Sequence, residues 1–176
     1  MGTPRLFGLD PSLNSTGVAL PDGRVARVRP PGLRGMQRLA YQRSQVLQLL
    51  VACRNECGLD LVVLEGYSYR SKGNAVFDLA ELGGVLRLLL YDQRVPYVEV
   101  PPQTLKGFAC SNGNADKQQM VVAAQLQLGY EGNSSDEADA LWLREVGLWV
   151  YGGGTSRTPR PKDAETLQGL AWPLLA

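Results

Sequence analysis

Four carboxylates stand where they could do chemistry. Asp10 ends the short apolar run Leu6–Leu9, and Glu65 ends the run Leu61–Leu64. Asp136 and Asp139 are three residues apart in a helical stretch and so share a face. A buried strand that finishes on an acid suits two chemistries. The acid can hold a metal ion, or the turn behind it, Pro11–Asn14, can cradle a nucleotide phosphate. If the two acid-ended strands are parallel neighbours, Asp10 and Glu65 emerge at one sheet edge, where α/β proteins build their sites. Four acids meeting there repel one another unless a cation joins them. All-oxygen ligation selects a hard ion, Mg²⁺ or Mn²⁺. Each acid also has a plainer use, in a turn or against a helix dipole, and Glu137 is assigned only the latter.

Composition narrows the options. The 176 residues contain no histidine, which removes Ser-His-Asp and Cys-His catalysis. Cys53, Cys57 and Cys110 form neither a disulfide framework nor a zinc set, and the first two read as small core residues on one helix face. No apolar run has the ~20 residues of a membrane span, and nothing reads as a signal peptide. A cytoplasmic protein is expected, in a bacterial cell or in a host if phage-encoded. The net charge is +1, yet Arg24–Asn55 holds seven arginines and no acid, as a polyanion-facing surface would.

The elements that must carry these residues follow from periodicity. Leu6–Leu9, Ser15–Leu20 and Arg24–Arg29 read as an antiparallel meander closed by Pro21-Asp22-Gly23. Leu33 to about Glu56 is helical, with Gly58 closing it. Leu61–Leu64 is a central strand, Tyr67–Asn74 a polar loop, Ala75 to about Arg94 a helix, and Tyr97–Val100 a fifth strand. Leu105–Asn114 reads as irregular, and Asp116–Leu128 and Asp136–Tyr151 as helices. This order gives an α/β domain over residues 1–151, with a mixed five-stranded sheet and helices on both faces. Residues 152–176 open on "GGGTSRTPRPK" and read as a flexible basic linker and tail, with one short helix near Asp163.

The segments "GLDPSLNSTGVAL", "VVLEGYSY", "PPQTLKGFACSNGNADKQQMV" and "DEADALWL" resemble the RuvC family of Holliday-junction resolvases. That family belongs to the RNase H-like nucleases. The resemblance spans about residues 5–150. It implies an RNase H-like fold and an endodeoxyribonuclease of DNA recombination and repair. Such an enzyme resolves four-way junctions by paired nicks, leaving a 5′-phosphate and a 3′-hydroxyl. Its metal-binding acids match Asp10, Glu65, Asp136 and Asp139, and its two functional lysines match Lys106 and Lys117. The family's stacking aromatic corresponds to Tyr69 or Tyr67. DNA contacts are expected from these tyrosines, Lys106, Arg70, Lys72, Arg27, Arg29, Arg34 and Arg38. Two Mg²⁺ per site are implied, Mn²⁺ substituting, with branched DNA and a second copy of the chain as partners and no small-molecule cofactor. The second long helix, with Gly83-Gly84, matches the dimer helix.

Asp10-Pro11-Ser12 departs from the family's Asp-Pro-Gly, and Leu13-Asn14 replaces its usual arginine, as in divergent phage-type members. Alternatives inside the fold are nucleases of flaps, forks or RNA. The alternative outside it is an actin-like ATPase, for which the chain is short and lacks a second phosphate loop.

Overall fold

In the computed structural model, which describes residues 2–67, 75–155 and 157–175, five strands form one sheet. In chain order they are β1 (Leu6–Asp10), β2 (Thr16–Ala19), β3 (Val25–Val28), β4 (Leu61–Glu65) and β5 (Tyr97–Val100). Their spatial order is β3-β2-β1-β4-β5. β1–β2 and β2–β3 pair antiparallel, while β1–β4 and β4–β5 pair parallel. The central strands β1 and β4 are buried on both faces, as their unbroken apolar runs require.

Strand parity sorts the core into two layers. Phe7, Leu9, Val62 and Leu64 pack against α1 (Gly35–Glu56) and α2 (Ala75–Asp92). Leu6, Leu61, Val63, Val98 and Val100 face the other way, toward α3 (Pro102–Cys110), α4 (Lys117–Leu128) and α5 (Ser135–Val150). This mixed sheet with helices on both faces is the RNase H-like architecture. No helix among the described residues is long and apolar enough to cross a membrane.

Two glycines let α5 lie directly on the sheet. A Cβ on Gly8 would sit 2.0 Å from the Ala140 carbonyl oxygen, and one on Gly17 only 1.9 Å from that of Asp136. Both obstacles are helix backbone, which cannot swing aside as a side chain can.

The stretch read as irregular, Leu105–Asn114, begins inside a helix. Pro102 occupies the first turn of α3, where its missing N–H costs nothing, and Leu105, Phe108 and Ala109 are buried. Small residues at its end hid the apolar face. The segment after Gly152, read as a flexible linker and tail with one short helix near Asp163, carries that helix as α6 (Pro161–Gln168), whose Leu167 is wholly buried in the α3–α5 layer. Trp172 stacks edge-on against Tyr151 at 5.6 Å and donates to the Leu167 carbonyl at 2.6 Å. A few apolar anchors outweigh the linker-like composition around them.

Candidate active site

Asp10 and Glu65 come together through register. Leu9 pairs with Leu64 in the parallel β1–β4 ladder, so the next residues, Asp10 and Glu65, end adjacent strands side by side. Their parity turns both toward the α5 face, on which Leu6, Leu61 and Val63 also lie. Asp10 pairs with Gly17, the residue on which the Asp136 backbone rests, and Asp139 lies three residues further along α5. The sheet edge and one helix face thereby deliver all four acids to one place.

Their electrostatics show that they feel one another. Burial, then the Glu65 charge, holds the Asp10 carboxyl well above the usual range. Burial also raises Glu65, although its hydrogen bond with Asp10 relieves part of that. Burial and then the Asp10 charge push Asp139 up to about 8. Glu65 and Asp139 each keep a partly exposed edge, so solvent offsets some of the cost. Lys106, on α3, favours the charged forms of Glu65 and Asp139, and Lys117, at the start of α4, those of Asp10, Glu65 and Asp139. A capping box aims that start. Asp116 accepts from the Gln119 N–H at 2.8 Å, and the Gln119 side chain accepts from the Asp116 N–H at 2.9 Å.

The donor set fits a hard divalent cation. All four donors are carboxylates, and Asp139 Oδ1 is buried with no hydrogen-bond partner among the described residues. No group of three or more such side chains among the described residues stands ready-closed around an ion position. The fit therefore rests on the shared field and the orphaned oxygen rather than on a preformed cage.

A pH effect follows. Asp10, Glu65 and Asp139 hold protons more tightly in the folded than in the unfolded chain. Between roughly pH 4 and 8 the native state is the more protonated, so metal-free stability falls as pH rises. Asp60, lowered by its hydrogen bonds to Arg5, acts with opposite sign but below that window. Melting in EDTA should thus be lower at pH 8 than at pH 5.5, and Mg²⁺ at pH 8 should restore it. A flat EDTA profile would contradict the burial of these acids.

The turn after Asp10 is held from two sides. Thr16 Oγ1 accepts from the Ser12 N–H at 3.2 Å and donates to the Ser12 carbonyl at 3.1 Å. Buried Gln42 of α1 donates to the carbonyls of Ser12 at 2.9 Å and Leu13 at 3.2 Å. A polar residue on the inner face of an amphipathic helix was the sequence signal for Gln42, and it was not used.

The expected DNA contacts divide. Arg29 and Arg34 are exposed and form no ion pair among the described residues. Arg27 pairs with Glu137 at 3.0 Å and Arg38 with Asp78 at 2.9 Å. Glu137 also accepts a hydrogen bond from Tyr130, so it clamps α5 to β3 rather than merely facing the helix dipole. Arg24 pairs with Glu56, Arg43 with Asp92, and Arg54 donates to the Gln93 carbonyl. Five of the seven arginines thus have internal partners, most of them distant in sequence. The Tyr67 hydroxyl donates to the Ala80 carbonyl and accepts from Arg87, whose guanidinium lies 4.2 Å over its ring. Gly83 faces this pair and Gly84 faces open space, so only one of the two glycines is free for a neighbouring helix. Tyr69, Arg70 and Lys72 lie outside the described residues.

The mixed sheet that carries these acids has the RNase H-like fold. Residues 6–144 match the family "Crossover junction endodeoxyribonuclease RuvC". The chain belongs to the RuvC family of crossover junction endodeoxyribonucleases. Its relatives include RuvC of Corynebacterium glutamicum, 28% identical over 82% of this chain and 69% of the relative. RuvC of Parasynechococcus marenigrum is 28% identical over 81% of this chain and 97% of the relative. Among solved structures, Thermus thermophilus RuvC superposes with a TM-score of 0.64 at 18% identity, covering 87% of this chain and 99% of that one. The same protein in complex with Holliday junction substrate gives 0.65 at 19%, covering 88% and 98%.

Proposed function

We propose that this protein resolves four-way DNA junctions by paired, symmetric, metal-dependent nicks. The observation that carries this reading is the meeting of Asp10, Glu65, Asp136 and Asp139 at one sheet edge in a RuvC-family chain. Metal dependence is typical of the family, and the donor set suits two Mg²⁺ ions, with Mn²⁺ able to substitute. When bound, such a pair supplies an activated water nucleophile and stabilises the leaving 3′ oxygen. Asp10, beside Glu65 and the Asp136 backbone, would hold the ions together with Glu65, Asp136 and Asp139. Lys117 would offset charge on the attacked phosphate, and Lys106 would hold a neighbouring one. Arg29 and Arg34 extend the cationic track. Such contacts set affinity and its salt dependence rather than sequence choice. The products would carry a 5′-phosphate and a 3′-hydroxyl.

Two equivalent strands call for two sites, and hence a two-fold dimer. α2 supports this. Phe77, Leu88 and Tyr91 are 72%, 57% and 78% exposed, with open Gly84 between them on the same helix face. Leu88→Arg should turn a dimer into a monomer by light scattering and uncouple the two nicks on one junction. A wild-type protein that is monomeric at assay concentration would exclude this arrangement.

The direct test uses end-labelled four-way junction, linear duplex and flap DNA, with and without Mg²⁺. Symmetric nicks on the junction alone, dependent on the metal, are expected. Preference for the flap would reassign the substrate, and no metal-dependent cleavage would end the nuclease reading.

A further inference from the structure

The family match ends at residue 144, yet the chain beyond it packs against the helix that carries Lys106. We propose that Arg157, in this C-terminal strap, is a positioning residue that sets Lys106 over the acids. The proposal rests on the nuclease reading above. α3 has nine residues, so nearly half its carbonyls lie in a last turn without intrahelical donors. The Gly107 carbonyl is taken by the Ser111 N–H at 2.9 Å. The Phe108 carbonyl accepts from Arg157 Nε at 2.7 Å. The same guanidinium donates to Ser111 Oγ at 2.8 Å and to Gln127 Oε1, on α4, at 3.2 Å. One cation therefore caps the C-terminus of α3, where a positive charge is favoured, and ties it to α4.

The residue so held is under strain. Ser111 has φ 56°, a left-handed conformation that costs a residue bearing a Cβ about 1 kcal/mol or more. It joins α3 to the segment leading to Lys117, so its geometry bears on both lysines. A second contact bears on α3 beside Lys106. A Cβ on Gly107 would lie 2.4 Å from Asp163 Oδ1, and Asp163 is itself buried and held by Arg160 at 2.6 Å. Leu167 and Trp172 anchor the strap from behind. A short helix with a strained exit is a poor platform for a phosphate-contacting lysine, and the strap supplies what it lacks.

The test is a double-mutant cycle on the full chain. Arg157→Ala, Lys106→Ala and the double variant are compared in single-turnover cleavage of a four-way junction with saturating Mg²⁺. Junction affinity and melting are measured alongside. Arg157→Ala should slow cleavage about tenfold, as a small misplacement of a charged group does. It should weaken junction affinity by no more than Lys106→Ala does and add no loss of rate or affinity in the Lys106→Ala background. Arg157→Lys should recover part of the rate. Amide exchange over residues 105–111 should quicken in Arg157→Ala without Mg²⁺ or DNA. Should Arg157→Ala not fold, Arg157→Gln enters the same cycle. An unchanged rate, losses that simply add, or unchanged exchange would each overturn the proposal while leaving the nuclease reading intact. Inactive wild-type protein would sink both.

Discussion

Asp139→Asn should abolish cleavage and, in EDTA at pH 8, make the protein melt at a higher temperature than the wild type. The two effects have one cause. Asp139 is pushed up to about 8 by burial and by the Asp10 charge, and its Oδ1 has no protein partner among the described residues. In metal-free protein the ionised group is therefore a liability. Neutral Asn removes the repulsion at nearly unchanged volume. Allowing for the partly exposed edge, the gain is about 2 kcal/mol, or roughly 4–8 °C for a chain of this size. The same change removes an anionic donor from the site, which should cost about 10³-fold or more in rate. With saturating Mg²⁺ the stability order should narrow or invert, because only the wild type gains from binding the ion. If Asp139→Asn melts below the wild type in EDTA at pH 8, the acids are not in conflict and their assignment to a cation is undermined.

Gly17→Ala should be nearly as damaging without touching a charge. Its new Cβ would lie 1.9 Å from the backbone oxygen of Asp136, so α5 must shift by more than an ångström or β2 must bend. Overpacking of this kind costs about 1–3 kcal/mol, and more where backbone is the obstacle. The functional cost is larger, because α5 carries two of the four acids and a displacement of about 1 Å can remove 10²-fold in rate. The expected result is a folded protein, melting several degrees lower, with cleavage down about a hundredfold at saturating Mg²⁺. Wild-type activity in Gly17→Ala would mean that α5 does not set the site geometry.

These two residues also mark what could be read from the chain. Asp10 and Glu65 were legible because each interrupts an apolar strand, and Asp136 and Asp139 because helical spacing puts them on one face. Gly8 and Gly17 were not. Their role exists only where a helix crosses a sheet, and nothing local distinguishes them from ordinary strand glycines. α3 was hidden because Gly107, Ala109, Cys110 and Ser111 look loop-like, and much of what holds its end comes from Arg157, some fifty residues away. The arginine-rich stretch read as one basic surface because the partners of Arg27, Arg38 and Arg43 lie in α5 and α2. Composition sees charge along the chain, while pairing happens across it. The strap was legible in part: its short helix was expected near Asp163, but its docking was not. Gly, Thr, Pro and Arg dominate its start, and the few residues that dock it, Leu167 and Trp172 above all, come late.

The central strand gives the acids another consequence. β4 is apolar and buried on both faces, so hydrophobicity alone does not choose which face each residue takes. A slip of one residue against β1 would bury nearly the same carbon surface. It would also turn Glu65 toward the apolar layer of Leu82 and Leu86, away from Lys106 and Lys117. The charge that weakens the finished fold therefore tells the chain which of two nearly equivalent sheets to build. Removing all four acids should leave a protein that is harder to melt and less certain of its own register.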